Sequence, residues 1–288
     1  MSAENIKKIS LIGSGIMGSQ IAMVGALAGF DVVLQDIEEK NLKKAEKELR
    51  SRLERRVSKG KLAQDELEQT FSRLTLTSSL EEAVTNTDFV IEAIVEKVDI
   101  KRAVFKEIDA LAPGNAILST NSSTIVSSKL ADATTRPEKV CNFHFFNPAL
   151  VIEMVEVVKG PHTSEETANT AFHLAKKLGK TPILLKKEIS GFVANRILGK
   201  LMNEAIYLYE NGYATAEEID LACTKALNHP IGPFALIDLT GLDIHYNVRM
   251  QRYEESGNPE DKPAETIIEK VNKGEFGRKT GKGFYVYS

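Results

Sequence analysis

The sequence predicts an α/β protein in two parts: a doubly wound, mainly parallel sheet carrying a helical hairpin insertion, then an all-α C-terminal domain. Three observations predict it. Residues 8–36 run strand, glycine turn, helix, strand, acid. Short apolar runs then alternate with helical stretches as far as Lys187, the alternation of a parallel sheet. From Ser190 onward the pattern is helical, with no strand-like run until the last few residues. The natural division is 1–187 and 188–288.

Taken in order, KISLI (8–12) reads as a buried strand, because it is short, apolar and ends on glycine. QIAMVGALAGF suits a buried helix stopped by Gly29, and DVVLQD is a second buried strand. From Glu38 to about Thr70 the composition changes to a charged helical hairpin. Between Lys40 and Lys61 there are ten Lys/Arg against three Glu. DFVIEAI and AILST are further strands, separated by the helix DIKRAVFKEIDALA with its Pro-Gly stop. VCNFHFF and VIEMVEVV follow, joined through Asn147-Pro148, then a helix from Ser164 to Leu178 and the strand TPILL. GFVANRILGKLMNEAIYLYENG, TAEEIDLACTKAL and FALIDLTGLDIHYNVRMQRYEE are helical by period.

At 288 residues and 42% apolar composition, two domains with ordinary cores fit the chain. A net charge of −3 argues against a surface built for nucleic acid. Cys141 and Cys223 stand far apart with no C-x-x-C, so neither a disulfide framework nor a metal site is expected, and a reducing cytoplasm fits best. The first strand begins too early for a leader, and the longest apolar stretch, Ile21 to Phe30, falls short of the roughly 20 residues of a membrane helix. A soluble protein with no membrane partner is expected.

Gly13-Ser14-Gly15-Ile16-Met17-Gly18 lies between the first strand and the first helix. In that context G-x-G-x-x-G is informative. Gly13 permits a tight turn, Gly15 lets a pyrophosphate approach the backbone, and Gly18 allows close helix–strand packing. The free N–H groups of the helix then face the diphosphate. Asp36, ending the second strand, would bind the adenosine ribose hydroxyls and repel a 2′-phosphate, which favours NAD over NADP. The same aspartate could serve as a helix N-cap, and the two roles are compatible. The unit is Rossmann-type, with NAD as the expected cofactor.

A second group of residues suggests chemistry. His144 lies within an aromatic strand run, and Glu156 stands among Met154, Val155, Val157 and Val158. A carboxylate buried without a partner costs several kcal/mol, so Glu156 should face water or be paired. A turn at 147–150 could fold one strand on the other and join it to His144, giving a general base for oxidising a hydroxyl. A core histidine and an edge-strand glutamate are the alternative. Asn121-Ser122-Ser123-Thr124 follows a strand at the end where such sheets bind ligands, and Asn195 shares a helical face with Phe192, Leu198 and Met202. Taken singly, these are as readily caps or satisfied core groups.

The segments IGSGIMG, IEAIVEK, ILSTNSS, HFFNPALVIEMVEVV, SGFVANR, HPIGPFALIDLTGLD and GRKTGKGFYVY change that balance. In order and over nearly the whole chain, they resemble the 3-hydroxyacyl-CoA dehydrogenases, and among them the short, monofunctional 3-hydroxybutyryl-CoA dehydrogenases. The resemblance implies an NAD-dependent enzyme acting on an acyl-CoA thioester. It implies His144 as base, Glu156 as the carboxylate that orients it, Ser123 on the substrate's 3-oxygen, and Asn195 completing the site. Glu92, Lys97, Asn121, Asn147 and Lys279 match positions of the cofactor site. Family members read S-N-T-S-S where this chain has Thr120-Asn-Ser-Ser-Thr124, so an ungapped count from His144 lands on Ser123, with Ser122 one residue away.

The family's hairpin holds part of coenzyme A, which gives the basic excess a target and makes Ser51, Arg52 and Lys59 candidates. A solvated helix face is the other reading of those cations. Two rival functions stand beside the thioester dehydrogenase: a dehydrogenase of a hydroxy sugar acid, and a nucleotide-binding protein without catalysis. About 100 residues of helix would struggle to bury all their apolar faces, so a homodimer through that domain is expected.

Overall fold

The computed structural model describes residues 3–287. Contacts divide the chain into two units, Met1–Phe192 and Val193–Ser288. The first unit runs past Lys187 to Phe192 because Phe192 is fully buried in a cluster with Val158 and Leu185.

Eight strands form one sheet in that unit: β1 (Lys8–Ile12), β2 (Asp31–Gln35), β3 (Leu74–Thr77), β4 (Phe89–Glu92), β5 (Ile117–Thr120), β6 (Val140–Phe145), β7 (Met154–Val158) and β8 (Thr181–Leu185). Their order is β3-β2-β1-β4-β5-β6-β7-β8. Every neighbouring pair is parallel except β6 and β7. The central strands are buried along nearly their whole length, as both faces of a doubly wound sheet are covered. β3 escapes sequence reading because its Leu-Thr-Leu-Thr pattern is short, only half-buried and at the sheet edge.

Among the described residues this unit has seven α-helices: α1 (Ile16–Leu27), α2 (Glu39–Ser58), α3 (Gln64–Ser72), α4 (Leu80–Val84), α5 (Val98–Leu111), α6 (Ser128–Ala131) and α7 (Glu165–Lys177). The hairpin α2–α3 is held by an apolar stripe. Leu42, Ala45, Leu49 and Leu53 recur at helical spacing along α2, and Leu49 and Leu53 meet Met23 of α1 and Leu67 of α3.

The second unit contains α8 (Ala194–Glu210), α9 (Ala216–Lys225), α10 (Pro233–Thr240), α11 (Leu242–Ser256) and α12 (Glu265–Asn272). The periodic run from Phe234 onward is two helices rather than one, because Gly241 adopts φ +108° between α10 and α11. Two buried aspartates organise this unit. Asp220 accepts from the backbone N–H groups of Phe234 and Ala235, capping α10, and from the Tyr285 hydroxyl. Asp238 accepts from the N–H groups of Phe284 and Tyr285 and from the Tyr287 hydroxyl. A Cβ at Gly277 or Gly283 would fall 2.3 Å or less from Asp238, so the glycines of GRKTGKGF let the terminal segment close on α10. Among the described residues no helix is long and apolar enough to cross a membrane.

Candidate active site

The glycine loop sorts its three glycines by cause. Gly13 has φ +100°, and a Cβ there would stand 2.8 Å from the Ala93 carbonyl oxygen. A Cβ on Gly18 would lie 1.9 Å from the Gly13 oxygen. Gly15 is different: nothing of the protein lies within 4 Å of where its Cβ would be. Space is kept open in front of Gly15, at the N-terminus of α1, where unpaired N–H groups and the helix dipole favour a diphosphate.

A cavity of about 850 Å³ opens there, lined by Gly13, Ser14, Gly15, Ile16, Asp36 and, across from them, apolar Ile94, Val95, Ile100 and Val104. Met17 instead packs against the sheet core, and Gly18 lies beneath the loop, buried. Asp36 is half-buried and fully hydrogen-bonded. Its Oδ2 accepts from the Ser14 N–H at 2.9 Å and the Ser14 hydroxyl at 2.8 Å. Its Oδ1 accepts from the Glu38 N–H and the Asn41 amide, each at 3.1 Å. Burial alone would raise the Asp36 pKa, but these donors outweigh it and hold the carboxyl below its usual range. A polar rim for ribose, an apolar wall for adenine and an open helix N-terminus for diphosphate suit a dinucleotide.

Beyond β6 the turn at Asn147 and Pro148 sends the chain back as β7, and the antiparallel register sets His144 directly opposite Glu156. His144 Nδ1 stands 2.9 Å from Glu156 Oε2. Facing a carboxylate, Nδ1 carries the proton and donates it, which leaves Nε2 as the basic nitrogen. Glu156 is fully buried and His144 nearly so. Phe146 and Phe192 flank the imidazole, with ring centroids 4.6 and 5.3 Å away.

The loop after β5 is anchored beside this pair. Asn121 accepts from the Phe145 N–H at 2.8 Å, and Asn142 bonds the Ile125 oxygen and the Ser127 N–H. Within the loop the two serines separate. Ser122 is buried, donates to Glu96 and accepts from the Thr124 and Ile125 N–H groups. The Ser123 hydroxyl is half-buried and makes no hydrogen bond among the described residues.

Glu92 is fully buried beneath this loop. It takes Lys101 at 2.5 Å, the Ile94 N–H at 2.7 Å and the Thr120 hydroxyl at 2.7 Å. Glu96, four residues on, is the carboxylate of that segment that reaches the surface, with Ser122, Thr124 and Lys101 as partners. Burial would raise the Glu96 pKa, and the Lys101 charge with the two hydroxyls reverses that and lowers it. Sequence reasoning passed over Glu96 and Lys101. An acid nine residues before a lysine gave no helical spacing to suggest that they meet.

Lys97 and Asn147 are exposed, at the start of α5 and on the β6–β7 turn. On α2, Ser51 is half-buried, while Arg52 and, just past the helix end, Lys59 are exposed and unpaired among the described residues. The first turns of the same helix are paired instead, Lys40 with Glu38, Lys43 with Glu39 and Lys44 with Glu48. In the helical unit Asn195 is half-buried in the first turn of α8, and Lys279 pairs with Asp243 at 2.6 Å.

A dinucleotide cradle and a carboxylate-held histidine in one α/β unit place the chain among the nicotinamide-dependent dehydrogenases. The chain belongs, more narrowly, to the 3-hydroxyacyl-CoA dehydrogenase family: residues 8–189 match its NAD binding domain and residues 191–287 its C-terminal domain. It is 39% identical to the 3-hydroxybutyryl-CoA dehydrogenase of Clostridioides difficile, over 98% of this chain and 99% of that one. It is also 39% identical to the human mitochondrial hydroxyacyl-coenzyme A dehydrogenase, over 98% and 91% of the two chains. The crystal structure of (S)-3-hydroxybutyryl-CoA dehydrogenase from Ralstonia eutropha superposes with a TM-score of 0.92 at 39% identity, covering 99% of this chain and all of that one.

Proposed function

We propose that the chain interconverts a short-chain 3-hydroxyacyl-CoA and the 3-ketoacyl-CoA, 3-hydroxybutyryl-CoA and acetoacetyl-CoA in the first instance, with NAD(H) as redox partner. The observation that carries the reading is the buried His144–Glu156 pair set face to face by the β6–β7 register. NAD supplies the acceptor for the hydride that leaves C3. The chain's own residues handle the proton and the oxygen. His144 Nε2 takes the 3-hydroxyl proton, and Glu156 stabilises the imidazolium that forms. Ser123, with its hydroxyl unengaged, is assigned to the 3-oxygen, whereas the Ser122 hydroxyl is already taken up by Glu96 and the loop.

From the helical unit we assign Asn195 to the substrate and Lys279 to the cofactor by the match of their segments. In the first unit Lys97, Asn121 and Asn147 are assigned to the nicotinamide side on the same ground. Glu92 supports that side from beneath, with Lys101, and Glu96 is the carboxylate that reaches it. The unpaired cations late in α2 favour a thioester of coenzyme A over a free hydroxy acid, since the nucleotide part brings phosphates for Arg52 and Lys59 to meet.

Exposed apolar side chains on the helical unit, Tyr213, Leu227 and Ile244 among them, support a homodimer through that unit. Two free, buried cysteines and bacterial relatives support a cytoplasmic setting. Oxidation of NADH followed spectrophotometrically with acetoacetyl-CoA, against free acetoacetate, tests the reading. Turnover of the thioester is expected, and equal turnover of the free acid overturns the substrate assignment.

A further inference from the structure

The carboxylate that ends β2 is unusually crowded. A carboxylate offers about four lone-pair positions, and protein donors meet Asp36 four times. Two of these donors are backbone N–H groups, of Ser14 and Glu38, and belong to the chain path. The other two are side chains whose presence is a choice of residue. Ser14 stands between Gly13 and Gly15, where the backbone turn asks only for the flanking glycines. Asn41 lies in the first turn of α2, where an asparagine is a mediocre helix former. Neither is needed for the turn or the helix, and both line the same cavity as Asp36.

The geometry points to Ser14 and Asn41 as positioning residues for cofactor choice, which hold the Asp36 carboxylate in the plane where it meets a ribose diol and opposes a 2′-phosphate. Each grips one oxygen, Ser14 on Oδ2 at 2.8 Å and Asn41 on Oδ1 at 3.1 Å, so together they fix rotation about the Cβ–Cγ bond. Ser14 is buried and ties the carboxylate to the loop that receives the diphosphate, where the Gly13 N–H also bonds the Gln35 oxygen at 2.8 Å. Asn41 is exposed and lines the same cavity, so its hold on Oδ1 lies beside the space a ribose would take. Discrimination thus resides in a three-residue unit, and the two supports act only through Asp36. Their donors also favour the ionised carboxylate, the form that repels a phosphate.

The inference rests on the cofactor reading above, so the experiment separates the two. Dissociation constants for both cofactors are measured by titration for the wild type and for Ser14→Ala, Asn41→Ala and Asp36→Ala. The same is done with each support combined with Asp36→Ala, and melting temperatures confirm folding. Each single support variant is expected to narrow the NADH preference about threefold to tenfold, the worth of one ordinary hydrogen bond. In the Asp36→Ala background the same substitutions should leave the ratio of the two constants unmoved.

A ratio that shifts in Asp36→Ala but not in Ser14→Ala or Asn41→Ala overturns the proposal and leaves the cofactor reading standing. So does an equal effect of the supports with and without Asp36. A ratio unchanged in Asp36→Ala removes the cofactor reading and the proposal with it. Asn41→Ala, on an exposed helix turn, keeps the test available should Ser14→Ala fail to fold.

Discussion

The two units reach stability by different means, and the difference shows in where each leaves apolar surface. In the α/β unit the central strands are buried on both faces, and four of its exposed large apolar residues, Ile16, Ile37, Val95 and Ile100, line the dinucleotide cavity. The helical unit is half as long, yet ten of its large apolar side chains are exposed among the described residues, against eight in the α/β unit. Its small core, built around Phe234, Ile237 and Leu242, is braced by the carboxylates of Asp220 and Asp238 rather than by a sheet. Half of the exposed large apolar residues of the α/β unit lie where a ligand goes. The helical unit has apolar faces still to cover, which is why a second copy is the partner we propose for it.

The sharpest break in that comparison is chemical. If the α/β unit houses the proton transfer, His144→Gln should cut kcat by about 10²–10⁴ while NADH still binds, because the pair stands apart from the glycine loop. Glu156→Gln should also act mainly on kcat. The double variant should be little worse than His144→Gln, since one residue works through the other. Fully multiplicative losses would show two independent roles.

The glycine loop sharpens the contrast between fold and function within one motif. Gly18→Ala drives a Cβ to 1.9 Å from a backbone oxygen and should cost about 3 kcal/mol or more of stability, read from denaturant melts. Gly15→Ala meets nothing in the protein, at a backbone φ of −60° that alanine accepts. Its stability should stay within about 1 kcal/mol of wild type, with NADH affinity falling tenfold or more as the methyl enters the diphosphate's space. Similar melting temperatures for both variants would undo that division of labour.

What the sequence disclosed follows the same line. The βαβ unit was legible because its strands are continuous apolar runs closed by glycine or acid, whereas the residues alone left the His144–Glu156 pairing open beside a core histidine and an edge-strand glutamate, and the family resemblance favoured it. β3 was not legible, since an edge strand of alternating Leu and Thr carries little hydrophobic signal. The break at Gly241 was hidden by an apolar period that continues across it. Glu92 and Glu96 look alike in the sequence. Only the fold shows that one is fully buried on Lys101 while the other reaches the surface.

In the helical unit the corresponding weak point is a histidine. His245 on α11 has its pKa pushed down to about 4, first by burial and then by the charges of Arg249 and Arg252. Its folded value lies below the unfolded value of about 6.5, so folding favours the neutral ring. The stability this contributes is whole above pH 6.5 and drains as pH falls toward 4. By pH 5 the loss should approach about 2 kcal/mol, and His245→Gln should flatten the melting curve's dependence on pH between 7.5 and 5. An unchanged slope in the variant would assign the acid sensitivity elsewhere, to the carboxylates of the α/β unit for instance.

The smallest effect concerns a stretch of the α/β unit whose surface is unfinished in charge rather than in apolar area. Along α2 the early lysines form ion pairs with acids, while Arg52 and Lys59 form none among the described residues. Arg50, between them and the early turns, is used structurally, on Glu68 at 3.3 Å and over the ring of Phe71 at 4.2 Å. Cations on a solvated face would serve only solubility, and neutralising them would leave binding alone. Cations that meet phosphates contribute in proportion to how far they are desolvated, and at exposed positions that is about 0.5–1 kcal/mol each. Replacing Arg52 and Lys59 by Gln should therefore raise KM for acetoacetyl-CoA about fivefold to thirtyfold, with kcat unchanged because the contact is remote from C3. For the acetoacetyl thioester of pantetheine, which lacks the nucleotide, KM should not move. The acetoacetyl-CoA effect should also shrink with added salt, as exposed pairs are screened. Equal losses with both thioesters would make the hairpin scaffold alone, and would leave the α/β unit with no surface given to coenzyme A.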